Sequence, residues 1–152
     1  MSATAISIRI IDYEPKHQKD FERLNRSWIE KYFRMEPLDE LILTRPEEAI
    51  LSTGGAIIMA MDGDFATGTV ALRKINDATY ELTKMGVDEN WRRQGIAEAL
   101  SKAAIEKAIK LGAEKIVLYS HSSLQPALSL YRKIGFRELP VDSQEYERAN
   151  VK

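Results

Sequence analysis

Thr79-Tyr80-Glu81-Leu82-Thr83-Lys84-Met85-Gly86-Val87 reads as a β-strand that changes phase partway along its length. Tyr80 and Leu82 share one face, and strict alternation would place Lys84 and Gly86 beside them. The apolar residues are instead Met85 and Val87, so the period slips by one between Thr83 and Met85. Such a slip moves side chains to the opposite face, and a β-bulge absorbs it; a strand apolar on both faces near its end fits the same pattern. Beyond a polar turn, a helix runs from about Gly95 to Leu111. Ile96, Leu100, Ala104, Ala108 and Leu111 fall on one face, and Gly112 suits a left-handed cap. Lys115 to Ser120, largely apolar and β-branched or aromatic, reads as the next strand. Thr79–Ser120 is thus a βαβ crossover, expected to be right-handed with parallel strands.

Upstream, Ile6 to Ile11 alternates apolar and polar residues as a half-buried strand does. Pro15 opens a helical stretch in which Phe21, Leu24, Trp28, Ile29 and Tyr32 recur at spacings of three and four. Pro37 and Pro46 divide residues 36 to 51 into one or two short helices, and Gly54-Gly55 ends that section. Ala56 to Met61 and Phe65 to Leu72 are strand-like runs joined through Asp62-Gly63-Asp64, and Asn76-Asp77 leads into the strand at Thr79. Downstream, Ser123 can cap a helix over Leu124 to Ile134, with Pro126 in its first turn and Gly135 at its end. Short strand-like pieces follow at Phe136 to Leu139 and Tyr146 to Val151. No internal repeat or linker interrupts the pattern, so residues 1–152 read as one domain, a mixed sheet covered by helices.

The 152 residues carry 22 basic and 23 acidic side chains, and this near balance gives no case for wrapping nucleic acid. Apolar residues at 44% and charged residues at 30% are ordinary for a soluble globular protein. No stretch approaches the roughly 20 apolar residues of a membrane span, and Met1 to Ile6 lacks the pattern of a secretory signal. Cysteine is absent, which excludes disulfides, thiolate metal sites and a Cys nucleophile, and fits a cytoplasmic location. His17 and His121 show no metal-ligand spacing, so no metal is expected.

Arg92-Arg93-Gln94-Gly95-Ile96-Ala97 lies where the strand gives way to the helix. A helix start offers unpaired N–H groups and the positive end of the dipole to a phosphate. Glycine and a small residue two positions on allow close approach, and arginines add bidentate hydrogen bonds. A loop with two solvated arginines fits the same residues. The segment is neither a Walker A loop nor a dinucleotide fingerprint.

The segment resembles the pyrophosphate-binding motif of GNAT acetyltransferases: a basic or amide residue, two variable residues, Gly, one variable residue, then Gly or Ala. Arg92, Gly95 and Ala97 fill its fixed positions. Ala127-Leu128-Ser129-Leu130-Tyr131-Arg132-Lys133-Ile134-Gly135-Phe136 is similar to the family's second signature, Ala, then Tyr four residues on, then Gly-Phe. Together the motifs span about residues 80 to 136. The resemblance implies a three-layer α/β/α fold of the α+β class, built on a mixed, mostly antiparallel sheet. It also implies N-acetyl transfer from acetyl-CoA to an amine, with a homodimer among the expectations. Backbone groups of Met85, Gly86 and Val87 would meet the pantetheine arm and acetyl carbonyl. Amides from Arg93 through Gln94, Gly95, Ile96 and Ala97 would hold the pyrophosphate, assisted by Arg92 and Arg93.

The same resemblance makes Tyr131 the general acid that protonates the departing thiolate; a phenol near pKa 10 is protonated at neutral pH. Without the motif, Tyr131 reads as a packing residue. Glu81 is the candidate base, with ordered water and His121 as alternatives and an exposed strand glutamate as the plain reading. Many family members place Asn three residues before the signature alanine (Ala127), where this chain has Leu124. The pantetheine contact is then lost or supplied by Ser122 or Ser123. Trp28, Tyr32, Phe33 and Glu36 form a candidate acceptor surface that could receive a small amine, although such a stripe is more often core. Rival functions are an acyl-CoA-binding sensor without turnover and an unrelated phosphate-binding α/β domain.

Overall fold

The computed structural model describes residues 8–120 and 124–137. Five strands, β1 (Ile8–Asp12), β2 (Ala56–Asp62), β3 (Phe65–Lys74), β4 (Thr79–Val87) and β5 (Lys115–Val117), lie side by side in chain order. The first four pair antiparallel, while β4 and β5 are parallel as the crossover requires. Helices α1 (Gln18–Tyr32) and α2 (Pro37–Thr44) cover one face, and α3 (Ile96–Lys110) and α4 (Gln125–Lys133) the other. The expected mixed sheet between helical layers is therefore present. A 3-10 turn over Pro15–His17 precedes α1, and Glu47–Leu51 forms a single π-helical turn that periodicity does not signal.

Each face has its own core. Phe21, Leu24 and Ile29 of α1 and Ile42 and Leu43 of α2 pack on Ile57, Met59 and Ala71. On the opposite side Ile96, Leu100, Ala104 and Ala108 meet Ile58, Val70, Leu72, Tyr80 and Leu82. Strand β2 is buried on both faces until Asp62, which explains its unbroken apolar run. Leu111, expected on the buried stripe of α3, is instead 40% exposed, because it lies at the C-cap where the chain turns away. Gly112 takes the left-handed conformation expected of it, at φ +96°.

The phase slip in β4 is a bulge. Thr69 faces Gly86 and Ala71 faces Thr83, so Val70 alone opposes both Lys84 and Met85. Lys84 absorbs the extra residue in the left-handed region, at φ +52°. Tyr80 and Leu82 before the bulge, and Met85 and Val87 after it, consequently all contribute to the α3-side core. Gly86 faces α1, where a Cβ would come within 2.4 Å of the Leu24 carbonyl oxygen.

Strand β5 is shorter than its sequence suggests. Pairing with β4 ends at Glu81 opposite Val117, and Leu118 to Ser120 leave the ladder. The bulge adds twist and bend to β4 just past this point, so the two strands part. Phe136 is in no strand and packs against Tyr131, with ring centroids 6.0 Å apart. Helix α4 begins one residue later than expected: Leu124, not Ser123, is its N-cap, and no side chain caps it, with Pro126 in the first turn. The expected strand at Tyr146 to Val151, the remainder of the piece beginning at Phe136, and Ser123 itself lie outside the described residues.

Gly86→Ala should be destabilising, because neither α1 nor β4 can yield at a backbone–backbone contact. Overpacking of this kind costs roughly 1–3 kcal/mol. For a chain of this size each kcal/mol lowers Tm by about 2–4 °C, a shift that calorimetry would read directly.

Candidate active site

The parting of β4 and β5 opens a cavity of about 210 Å³. Leu82, Thr83, Lys84 and Met85 form one wall, and Leu118, Tyr119 and Ser120 the other. Helix α4 closes one side with Leu124, Ala127 and Tyr131, and the end of α1 contributes Trp28, Tyr32 and Phe33. Glu81 lies at the last paired position. Residues expected to serve the cofactor, the acid, the base and the acceptor thus converge from four separate elements.

Tyr131 projects from α4 into this cavity and packs on the α3-side core. Burial pushes its phenol up to about 12, because an ionised phenolate loses hydration there. Glu81 is 1% exposed rather than solvated. Its direct cross-strand neighbour is Arg73, whose Nε and Nη2 donate to Glu81 Oε1 at 3.0 and 2.9 Å. That guanidinium fixes the carboxylate, a role the register of the β3–β4 hairpin could have revealed.

The acceptor-side residues divide. Trp28 donates its indole N–H to Asn25 Oδ1 at 3.0 Å, which orients the ring edge-on to Phe33. Tyr32 is half exposed at the cavity rim, with Lys31 Nζ 5.4 Å from its ring centroid. Glu36 does not line the cavity. It is the N-cap of α2 and forms a reciprocal capping box with Asp39, Pro37 occupying the first helical turn. The Glu-Pro-x-Asp order is the signal that identifies this capping role. Asp39 and Lys84 form a fully buried ion pair at 2.9 Å that no local pattern announces. His121, Ser122 and Ser123 lie outside the described residues.

The second half of the site is the loop into α3. Gly95 is the N-cap at φ +78°, and no side chain caps the amides that follow. No atom lies within 4 Å of where a Gly95 Cβ would stand, so the space before the helix is open. Arg93 also adopts a left-handed conformation, at φ +65°. Arg92, Arg93 and Gln94 are exposed, and among the described residues no ion pair engages either arginine. Ile96 turns its side chain into the core, leaving only its backbone toward the opening. These features fit a diphosphate at the helix start.

An acidic residue in the first turn would oppose that anion, yet Glu98 is bracketed by two lysines. Lys133 of α4 and Lys102 each contact it at 2.9 Å. The hydrogen bond from Lys133, then that from Lys102, draws its carboxyl down to about 2. The loop is further held by Asp88, which accepts from Asn90 N–H and from Arg23 and donates its own N–H to the Thr67 carbonyl. Trp91 stacks on Phe65 with centroids 4.8 Å apart, and the Arg23 guanidinium lies 5.1 Å from the centroid of the same Phe65 ring.

Comparison with known proteins agrees with this geometry. The acetyltransferase (GNAT) family profile matches residues 18–136. The chain is 34% identical over 113 residues to the uncharacterized N-acetyltransferase YvbK of Bacillus subtilis, covering 72% of this chain and 73% of that protein. A GNAT-family acetyltransferase structure from Staphylococcus aureus Mu50 has a TM-score of 0.84 at 23% identity, covering 95% of this chain and 96% of the other. A GNAT family acetyltransferase from Elizabethkingia anophelis, solved with acetyl-CoA bound, has a TM-score of 0.61 at 25% identity and covers 87% of this chain and 77% of its own. The chain belongs to the GNAT family and is an acetyl-CoA-dependent acyltransferase. No helix among the described residues is long and apolar enough to cross a membrane.

The elevated Tyr131 pKa has a measurable sign. Its folded value, about 12, exceeds the ordinary 10.0, so the stability it contributes is present below about pH 10 and is lost as pH rises toward 12. Alkaline absorbance titration of native protein against Tyr131→Phe should show no Tyr131 ionisation near pH 10; a difference signal there contradicts the assignment.

Proposed function

We propose that this chain transfers the acetyl group of acetyl-CoA to a primary amine by direct attack within the cavity between β4 and β5. The observation that carries this reading is the meeting of Tyr131, Glu81, the β4 bulge and the α1 aromatic wall around one 210 Å³ space. When bound, acetyl-CoA supplies a thioester whose acyl group is susceptible to an amine. Arg92, Arg93 and the amides from Arg93 to Ala97 grip its diphosphate, and the bulge at Met85–Val87 orients the pantetheine arm and acetyl carbonyl. A backbone N–H presented there stabilises the charge that develops on the carbonyl oxygen, a contribution often worth about 3 kcal/mol.

Tyr131 holds a proton on Oη for the departing sulfur; its raised pKa keeps the phenol loaded across the neutral range. Glu81 takes the proton of the incoming ammonium, directly or through water, with Arg73 holding the carboxylate in place. Trp28, Tyr32 and Phe33 offer the amine an apolar, aromatic approach, and such ring faces attract a cation before it is deprotonated. The acceptor itself is a primary amine of a small molecule, an amino acid or a protein.

Thiol release measured against a panel of amines, amino acids and peptides tests this directly. Turnover with any of them supports the proposal; binding of acetyl-CoA without thiol release from the whole panel identifies an acyl-CoA sensor instead. Tyr131→Phe should lower kcat by roughly 10²-fold or more, the usual weight of a general acid, with acetyl-CoA affinity nearly unchanged. Replacing both Arg92 and Arg93 by Ala should do the reverse. Coenzyme A affinity, read by calorimetric titration, should fall at least tenfold, since a hydrogen bond to a charged group contributes about 1.5–3 kcal/mol.

A further inference from the structure

We infer that the buried Lys84–Asp39 ion pair is a positioning device for catalysis, locking the β4 bulge in the geometry that acetyl transfer uses; the inference rests on the function proposed above. Lysine is an unexpected choice at this place. A left-handed backbone favours Gly, Asn or Asp, yet Lys84 adopts φ +52°. Lysine is also among the residues least often fully buried, yet its side chain is 2% exposed and that of Asp39 is not exposed at all. Removing two charges from water is costly, and an apolar pair of similar volume often stabilises a fold as well or better. The pair is therefore poorly accounted for by stability alone and better by the specific geometry it imposes.

That geometry is directional. Asp39 is itself fixed, because Oδ2 accepts the Glu36 N–H at 2.9 Å in the capping box of α2 while Oδ1 receives Lys84 Nζ at 2.9 Å. Helix α2 thus pulls Lys84 to the α1/α2 side of the sheet. Two residues along, Gly86 abuts the Leu24 carbonyl of α1. Met85 is held between these two fixed points, with its side chain on the opposite face against Ser101 Oγ at 3.5 Å. Thr83, Lys84 and Met85 line the cavity, so the course of the backbone along that wall is set by contacts made behind the sheet. The diphosphate grip belongs to a different element, the start of α3, and is not touched by this clamp. Loss of the clamp is accordingly expected to appear in kcat rather than in cofactor affinity.

The test is the double variant Asp39→Asn/Lys84→Met, in which Asn retains an acceptor for the cap, Met is unbranched and one heavy atom shorter than lysine, and both charges of the pair are removed together. With an acceptor that the native protein uses, kcat should fall by about tenfold to a hundredfold, the cost of a small misplacement of reacting groups, while the acetyl-CoA Kd stays within about twofold. Amide hydrogen exchange at Met85 should accelerate relative to the β3 amides. A folded variant with native kcat overturns the inference and leaves the pair a structural contact. Parallel loss of kcat and of coenzyme A affinity overturns it too, since the effect is then not confined to the bulge. If the double variant does not fold, Asp39→Asn alone removes the counter-charge and keeps the cap, and is read by the same three measurements. If native protein releases no thiol with any acceptor, the underlying reading fails. Unchanged exchange at Met85 would then separately sink the clamp.

Discussion

One extra residue in β4 decides which way the strand's side chains and peptide groups point on either side of it. With strict alternation Lys84 would drive its ammonium into the α3-side core beside Tyr80 and Leu82, and Met85 would face α1. The left-handed turn at Lys84 reverses both outcomes. It seats Met85 and Val87 in the apolar layer, delivers the charge of Lys84 to Asp39, and presents Gly86 where α1 needs a residue without a side chain. The departure of β5 immediately upstream turns the same local distortion into an opening. Fold and cavity share one cause.

The charges around this opening fall into two populations with different physics. Glu81 at the cavity, and Lys84 and Asp39 behind the sheet, are withdrawn from water and locked by short contacts; there the surroundings are weakly polarisable and small displacements carry large electrostatic consequences. At the start of α3, Arg92 and Arg93 stand in solvent, where charge acts over distance and is screened by salt. The first arrangement suits the control of individual protons. The second suits capture of a polyanion that must arrive and leave many times.

Much of the scaffold was legible in the residues. The slip between Thr83 and Met85 points to a bulge or to a strand apolar on both faces, and the register of β3 against β4 decides for the bulge. The helix expected from Gly95 to Leu111 is observed as Ile96–Lys110, bounded by the Gly95 N-cap and by the left-handed Gly112 just past the Leu111 C-cap. Local β-propensity over-extended β5, because Leu118, Tyr119 and Ser120 are strand-like residues that leave the ladder with β4 and line the cavity. Nearness in sequence misplaced Glu36, whose capping chemistry outweighed its position beside the aromatics. The partner of Glu81 could have been read by counting the hairpin register back to Arg73. The partner of Lys84 could not, since Asp39 lies across the fold and only tertiary packing brings them together.

The chain contains two tryptophans, and they stand at opposite limits of the site. Trp28 forms part of the cavity wall, while Trp91 immediately precedes Arg92 and rests on Phe65. All of the indole emission of this protein therefore originates next to one or other region where a ligand would settle. The molecule comes with an intrinsic optical gauge, and swapping either indole for phenylalanine would assign its signal to the cavity between β4 and β5 or to the loop into α3.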